Sequence, residues 1–410
     1  MIVTRVEKHV IKSNNEYYSM LDHFCFLSKK LYNHANYIVR KEFVKNNNWM
    51  RCNDLDKILK NDIEYPDYKN MPTAQSAQQI LRLLDKNWKS FFASIKDWTK
   101  NKDKYLGRPK IPSYKKKDGR YILVLTNQNC KLNNNVIKFP KSFNNFTIKT
   151  RIAEKENFIS LQQVRFIPRN NYITVEVVYN ITIQEAMMDN GRYFSIDIGV
   201  DNLATITNNI GEKPIVINGK GLKSINQYYN KQISHYRKIA KRMNSIDYTN
   251  RMNRLTVKRN NKISDYMHKA SRFIIECALE SNISVIVIGK NKNWKQKSSL
   301  SKRVNQHFVQ IPYLQLINQI QYKAEDFGIK VILTEESYTS GTSVLDYELP
   351  VKENYNNDRR IHRGLFKSDK GTLINADVNA SYQIMKKVFP EEFSDGIKGL
   401  ALHPIRVNIV

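Results

Sequence analysis

The stretch Tyr193-Phe194-Ser195-Ile196-Asp197-Ile198-Gly199-Val200 places one acid, Asp197, inside an otherwise apolar strand. A half-buried aspartate in such a strand costs free energy unless it is paired or binds a metal ion. An aspartate that only closes a hairpin turn is the alternative, and the following Asp201 fits that role better than Asp197 does. Asp197 is therefore a candidate functional residue.

Strands and helices alternate around this stretch, and this alternation predicts the fold class. Residues 193–198 and 203–207 read as a hairpin, and the β-branched runs at 285–288 and 329–334 are typical of buried strands. Residues 219–280 between them carry long helical repeats. We therefore expect an α/β layer domain in the C-terminal half.

The N-terminal half has a different pattern. Apolar residues recur at three- and four-residue steps between about 17 and 105, which predicts helices. Alternating apolar and polar positions then continue to about 185, with Asn-rich turns, and predict a small β-rich domain. The chain is thus expected to be an α/β multidomain, bilobed protein.

The composition points to a polyanionic partner. The 410 residues include 67 Lys and Arg against 38 Asp and Glu, a formal charge of +29. This charge is spread along the whole chain, which favours nucleic acid over a membrane surface. Residues 219–272 alone hold 14 Lys and Arg against two Asp, and without paired acids such a face is costly unless phosphates neutralise it. An ordinary solvated face is the alternative. The candidate nucleic-acid-binding residues are Lys115, Lys116, Lys117, Lys220, Arg237, Lys241, Arg242, Arg254 and Arg259.

Two further acidic positions could share a site with Asp197. Asp377 precedes a helical run, where N-capping is the commonest role of an aspartate and is slightly favoured for this residue taken alone. Glu335 and Glu336 end a predicted strand, and alternation allows at most one of them to face the site. Three such carboxylates suit Mg²⁺, and two ions about 4 Å apart would support phosphodiester hydrolysis.

The four cysteines, Cys25, Cys52, Cys130 and Cys277, form no closely spaced pair. Neither a disulfide framework nor a zinc ribbon is predicted from them. The N-terminus has no apolar signal-peptide stretch, and we expect a soluble protein of the bacterial cytoplasm, associated with the nucleoid.

The sequence resembles a known family at several separated motifs. Residues 195–205 are similar to the first RuvC motif of the TnpB nucleases, which are OrfB-type proteins of insertion sequences and relatives of type V CRISPR effectors. Residues 322–329, 336–340 and 375–380 resemble the C-terminal motifs of that family in order and spacing. Residues 31–33 and 107–110 resemble its N-terminal half.

The resemblance implies an RNA-guided, Mg²⁺-dependent DNA endonuclease with a RuvC, ribonuclease-H-like domain, in which Asp197 and Asp377 are the first and third catalytic carboxylates. Its partners would be a guide (omega) RNA encoded beside the protein and double-stranded target DNA with a short flanking motif. The implied domains are the first strand of a β-barrel-like wedge domain (1–16), a helical recognition domain (17–105), the rest of the wedge domain (106–187), the first part of the nuclease domain (188–338, with a basic helical insertion at 219–280), a zinc-ribbon position (339–371) and the last part of the nuclease domain (372–410).

Two departures from the family pattern matter. Gly289 stands where most members carry the second catalytic Glu, and we expect Glu336 to replace it, as in members with an alternative Glu, with Glu335 in reserve. Residues 339–371 contain no Cys and a single His, so we expect a basic loop there and no structural zinc.

Three other functions remain open at this point. The loss of an acid at Gly289 fits a guide-dependent DNA binder, or repressor, that no longer cuts. Ribonuclease-H-like folds with acidic triads also serve DNA-strand-transferring transposases. A basic RNA-binding scaffold would leave Asp197 without explanation.

Overall fold

A computed structural model describes residues 1–244, 248–291, 302–393 and 402–409. The chain divides into two compact units, residues 1–182 and 183–410. Small parts of the predicted nuclease segments 188–338 and 372–410 lie outside the described residues. No helix of the described part is long and apolar enough to cross a membrane.

The first unit combines helices with two small antiparallel sheets. Its helices are α1 (Tyr18–Asn46), α2 (Cys52–Asn61) and α3 (Ala74–Lys100). Its strands are β1 (Ile2–Lys12), β2 (Leu123–Thr126), β3 (Lys131–Asn133), β4 (Val136–Lys138), β5 (Thr147–Lys149), β6 (Phe158–Pro168) and β7 (Tyr172–Thr182). One sheet has the order β1-β7-β6-β2 and the other β3-β4-β5. The apolar stripe of α3 is buried, with Trp88 fully enclosed, and the side chain of Thr73 caps its first turn.

The second unit is built on a mixed six-stranded sheet. Its strands are β8 (Tyr193–Asp197), β9 (Asn202–Asn208), β10 (Ile215–Asn218), β11 (Val285–Gly289), β12 (Lys330–Thr334) and β16 (Ile405–Val407). Their order is β12-β11-β8-β9-β10-β16. Strands β8, β11 and β12 are parallel, and β8 and β9 form an antiparallel hairpin. The carboxyl ends of these three strands therefore lie side by side, and they carry Asp197, Gly289 and the end of β12. Parallel strands of α/β proteins commonly present their functional groups at these ends.

Helices cover this sheet. They are α4 (Lys220–Asn244), α5 (Asn250–Glu280), α6 (Lys302–Gln310), α7 (Tyr313–Glu325) and α8 (Ala376–Val388). Residues of β8, β9, β11, α5 and α7 form one apolar core, in which Phe194 and Ile196 point away from α8. The predicted fold class, an α/β multidomain chain with a helical part, a β-rich part and a C-terminal α/β part, is confirmed.

The segment at 339–371 differs from the expected basic loop. Strands β13 (Arg360–His362) and β14 (Leu365–Lys367) form a hairpin, and β15 (Leu373–Asn375) completes a three-stranded sheet. Buried Val344, Phe366 and Ile374 share one apolar cluster with Ala376, Val378 and Tyr382 of α8. The prediction of a loop was wrong because strands of three residues are too short to show an alternating pattern. The predicted domain boundaries stay a prediction.

Candidate nuclease centre

Asp197 is the last residue of the central strand β8. Its side chain is partly buried, and strand alternation places it on the same face as Ser195, opposite Phe194 and Ile196. That face packs against α8, because the Ser195 hydroxyl lies 2.6 Å from the backbone oxygen of Ser381. The acid is therefore held between the sheet and the helix.

Asp377 lies in the first turn of α8, but it does not cap the helix. The cap is Asn375, whose Oδ1 accepts hydrogen bonds from the backbone nitrogens of Asp377 (3.0 Å) and Val378 (3.1 Å). The Asp377 carboxylate accepts a 2.7 Å hydrogen bond from Nδ2 of Asn202, and Nη2 of Arg360 lies 3.7 Å from it. The capping alternative is thus wrong, because the Asp377 carboxylate contacts Asn202 and Arg360 and not the backbone of its own helix.

A buried hydroxyl cluster sets the spacing of these two acids. The Ser195 Oγ lies 2.7 Å from Thr207 Oγ1, and Ser381 Oγ lies 3.0 Å from Thr207 Oγ1. Ser381 also donates to the backbone oxygen of Ser195 at 3.0 Å. Because Ser195 precedes Asp197 by two residues and Ser381 follows Asp377 by one helical turn, the cluster fixes β8 and α8 directly beside both carboxylates.

Glu336 approaches the same region across Gly289. A Cβ at residue 289 would lie 2.6 Å from both Cγ and Oε1 of Glu336 and 2.7 Å from Cδ1 of Ile384. The Glu336 side chain therefore fills the space that any side chain at 289 would need. Asn291 holds it there: its Oδ1 accepts a 3.0 Å hydrogen bond from the Glu336 backbone nitrogen, and its Nδ2 donates to Oε2 at 3.3 Å. The other oxygen, Oε1, is buried and has no hydrogen-bond partner.

The three acids share one electrostatic environment. Burial raises the pKa of Asp197 well above its ordinary value; the charges of Asp377 and Glu336 raise it further, and Arg360 opposes them. Burial also raises the pKa of Glu336 to about 7, while Lys387 lowers it. Removal from water is the main reason that ionisation of these groups is costly, and like charges close by add to that cost for Asp197.

These features fit a divalent cation, although the acids are not grouped as ligands. A buried carboxylate oxygen without a partner and acids with raised pKa values are the groups that a hard, oxygen-preferring ion would stabilise. In the part of the chain that is described, no three His, Cys, Asp or Glu side chains lie close enough together to hold a metal ion. Residues 339–371 offer no fit for zinc, because they contain no Cys.

Glu335, the reserve candidate, does not join the group. Its side chain is 64% exposed, contacts the Ser337 hydroxyl and lies 3.9 Å from Nζ of Lys387. The structure thus places Asp377 and Glu336 near enough to Asp197 for their charges to raise its pKa, and it leaves Glu335 outside. The roles of these residues stay predictions.

Several residues at the centre are not among the site residues predicted from the sequence, although Arg360 and Arg363 belong to the expected basic loop. Asn202 and Asn291 orient carboxylates, and Arg360 lies beside Asp377. Arg363 contacts Asp201 at 2.9 Å. In the sequence, the basic run around residues 358–363 indicates Arg360 and Arg363. Nothing in the sequence indicates the roles of Asn202 and Asn291, since an isolated Asn forms no recognisable pattern.

The predicted phosphate-binding residues fall into two groups. Lys115 is half-buried, with its Nζ 4.6 Å from the ring centres of both Tyr32 and Tyr121, and burial lowers its pKa. Arg259 is likewise engaged by protein acceptors. The others are exposed: Lys116, Lys117, Lys220, Arg237, Lys241, Arg242 and Arg254. Nucleic-acid binding by any of them stays a prediction.

Comparison with known proteins shows consistent similarities. Residues 176–295 match the OrfB family described as "Probable transposase", and residues 313–384 match the "Cas12f1-like, TNB domain". The chain is 24% identical to the "TnpB-like protein ORF457" of Acidianus two-tailed virus, over 88% of this chain and 81% of that protein. In fold it resembles the Cas12f1 protein of a complex with single-guide RNA and target DNA, with a TM-score of 0.54, 14% identity and coverage of 90% of this chain and 82% of that one. The structural likeness concerns the fold, and the sequence similarities, together with the motifs around Asp197 and Asp377, support a protein of the TnpB family.

Proposed function

We propose that this protein is an RNA-guided, Mg²⁺-dependent endodeoxyribonuclease that cuts double-stranded DNA beside a short flanking motif. One observation carries the proposal: the Glu336 side chain lies over Gly289 and contributes, with Asp377, to the electrostatic environment of Asp197. The site therefore keeps three acids, although the usual position of the second acid is a glycine.

The side chains around the acids have distinct tasks in this proposal. Asp197, Glu336 and Asp377 would hold Mg²⁺, which when bound activates water and stabilises the leaving oxygen in phosphodiester hydrolysis. Asn291 orients Glu336, and Asn202 orients Asp377. Arg360 places a positive charge beside Asp377, where it can also attract a DNA phosphate.

The proposed partners are a guide RNA encoded by the insertion sequence and the target DNA. The formal charge of +29 supports binding of both polyanions. The Cas12f1 protein that shares this fold was solved with single-guide RNA and target DNA. Pairing by the guide would then read the sequence, and the protein would read the flanking motif.

Cleavage of a guide-matched plasmid tests the proposal. The complex with RNA transcribed from the flanking sequence is compared with Asp197→Ala, Glu336→Ala, Asp377→Ala and, as the matched control, the exposed neighbour Glu335→Ala. We expect cutting in Mg²⁺ by the wild type and the control alone. A wild-type complex that leaves matched DNA intact in Mg²⁺ contradicts the proposal.

The second candidate is a guide-dependent DNA binder without cleavage. It is favoured by Gly289 and by the lack, within the described ranges, of acids grouped closely enough for a metal. It predicts tight binding of matched DNA, no cutting, and no change of affinity on Asp197→Ala. A DNA-strand-transferring transposase would instead join DNA ends without any RNA.

A further inference from the structure

A cavity of about 390 Å³ lies between helices α4 and α5, and none of the three acids lines it. Ile225 and Leu255 form apolar walls, Tyr228 and Tyr229 add aromatic rings, and basic side chains of α5 complete the lining. No acid lines it. This volume lies at the lower end of the range of small-molecule sites, which suits a ligand of about the size of one nucleotide.

A network of contacts holds Arg259 and Tyr229 in the wall of the cavity. The guanidinium of Arg259 donates from Nε to Oδ1 of Asn226 (2.8 Å) and from Nη2 to the backbone oxygen of Gln310 (2.8 Å). It lies 5.6 Å from the ring centre of Tyr229, whose hydroxyl is 3.0 Å from Thr256 Oγ1. With its donors engaged in this way, Arg259 supports the Tyr229 ring and is not the group that meets an incoming ligand.

The mouth of the cavity carries the groups that are available to a ligand. Tyr228 is 62% exposed, a large fraction for an aromatic side chain. Lys258 and Lys262 are exposed, one turn apart on α5, and neither has an ion-pair partner within the described ranges. Like charges at this spacing repel each other, and a phosphate between them would remove that cost.

A second cavity of about 420 Å³ lies on the opposite face of α4. It is lined by Arg237, Lys238 and Lys241 and again by no acid. Basic side chains therefore flank this helix on both sides, which is the charge distribution expected of a surface that meets a long polyanion.

We propose that the first cavity binds one unstacked nucleotide of a single nucleic-acid strand. The base lies against Tyr228 and Tyr229, and its phosphate lies between Lys258 and Lys262. Aromatic faces bind bases of any sequence, and lysines bind the backbone. The inference rests on the proposed function only in taking nucleic acid as the partner, and it needs no cleavage.

Binding of three labelled probes by the full-length protein tests this site. The probes are oligothymidine DNA, oligouridine RNA and abasic DNA, each of about 20 nucleotides, longer than one typical single-strand site. We expect Tyr228→Leu to weaken binding of the thymidine or the uridine probe by roughly 5- to 100-fold, from the stacking of one base, and to leave the abasic probe unchanged. Tyr65→Leu, which changes a tyrosine of the other unit that is 55% exposed, is the control.

Replacement of the lysines should change binding in a different way from replacement of Tyr228. Lys258→Gln with Lys262→Gln should weaken binding of all three probes and reduce the slope of log affinity against log salt by about 0.7, the value for the one phosphate that the two lysines share. The control, Lys269→Gln, removes a lysine of α5 that already pairs with Asp265. A larger effect of Tyr228→Leu on uridine than on thymidine assigns the cavity to RNA, and the reverse assigns it to DNA.

An equal loss for the abasic probe on Tyr228→Leu, or no loss for any probe, would overturn the site and leave an ordinary solvated groove. This result is separable from the nuclease proposal. If the protein cuts matched DNA but Tyr228→Leu has no base-dependent effect, the nuclease proposal is supported and the nucleotide site is refuted. If the protein never cuts but Tyr228→Leu has that effect, the nucleotide site is supported and the nuclease proposal is refuted.

Discussion

Gly289→Ala is the sharpest perturbation of the candidate centre, because it adds a single methyl group at the end of β11. The new Cβ would lie 2.6 Å from Cγ and Oε1 of Glu336 and 2.7 Å from Cδ1 of Ile384. Carbon atoms in good contact are about 3.5–4.0 Å apart, so the neighbours must move by about 1 Å. Ile384 is fully buried in α8 and has little room to retreat. Glu336 must therefore move, at the expense of its 3.3 Å contact with Asn291.

The size of the effect follows from this displacement. A misplacement of about 1 Å at a catalytic group commonly costs about 100-fold in rate. Overpacking of this kind also costs about 1–3 kcal/mol of folding free energy. We therefore expect Gly289→Ala to cut a matched plasmid about 100-fold more slowly, measured as the initial rate in Mg²⁺ with saturating complex, while a thermal melt shows that the protein is folded.

Two companion variants make the result specific. Gly221→Ala adds the same methyl group in α4, where the nearest atom, Cε2 of Tyr266, is 3.5 Å away, and we expect an unchanged rate. The double variant Gly289→Glu with Glu336→Ala moves the acid to the strand end and removes the contact with Glu336 but not the contact with Ile384. It should therefore recover part of the cutting that Glu336→Ala alone abolishes. A wild-type rate for Gly289→Ala would refute the reasoning, because the acid would then not depend on its position over the glycine.

Three further predictions concern Glu336, Asn291 and the segment 339–371. Burial raises the pKa of Glu336 to about 7, so the folded state binds this proton more tightly than the unfolded state, and the free energy of unfolding falls as pH rises from about 4.5 through 7. In EDTA at pH 8, Glu336→Gln should therefore have a free energy of unfolding up to about 2 kcal/mol above that of the wild type, after allowance for partial exposure. At pH 4.5 the two proteins should be equally stable. Asn291→Ala should slow cutting about 10-fold and raise the Mg²⁺ concentration needed for half-maximal rate, since second contacts of this kind typically change metal affinity 10- to 100-fold. Arg359 contacts Glu348 and Asp369 at 2.6 Å each. Arg359→Met should therefore destabilise the segment 339–371 by about 2 kcal/mol, measured as faster limited proteolysis. A zinc chelator should leave the rate of proteolysis of the wild type unchanged.

The sheet and the long helices could be predicted because their patterns are strong. Residues 285–288 are all β-branched, and α3 repeats apolar residues on one face over 27 positions. Asp197 was visible as an acid in an apolar strand. These features depend only on neighbours along the chain, which is what a single sequence reports.

The remaining features depend on contacts between distant residues. Asp377 and Asn375 are both good capping residues, and only the backbone geometry shows that Asn375 takes the role. Lys115 has the same charge as its neighbours, but it is held between Tyr32 and Tyr121, and Tyr32 is far away in sequence. A charge count does not distinguish a lysine buried against aromatic rings from one that is available to phosphate.

The relocation of the second acid can be understood from the sheet itself. Strands β11 and β12 are adjacent and parallel, and Gly289 is paired with Thr334, the last residue of its strand. The carboxyl ends of neighbouring parallel strands reach the same edge, so two chain positions, 289 and 336, have access to one point beside Asp197. Only one of them can be occupied, because the Glu336 side chain fills the space of a side chain at 289. A glycine on β11 is therefore what allows an acid to arrive from β12, and it is not by itself a sign of a lost site.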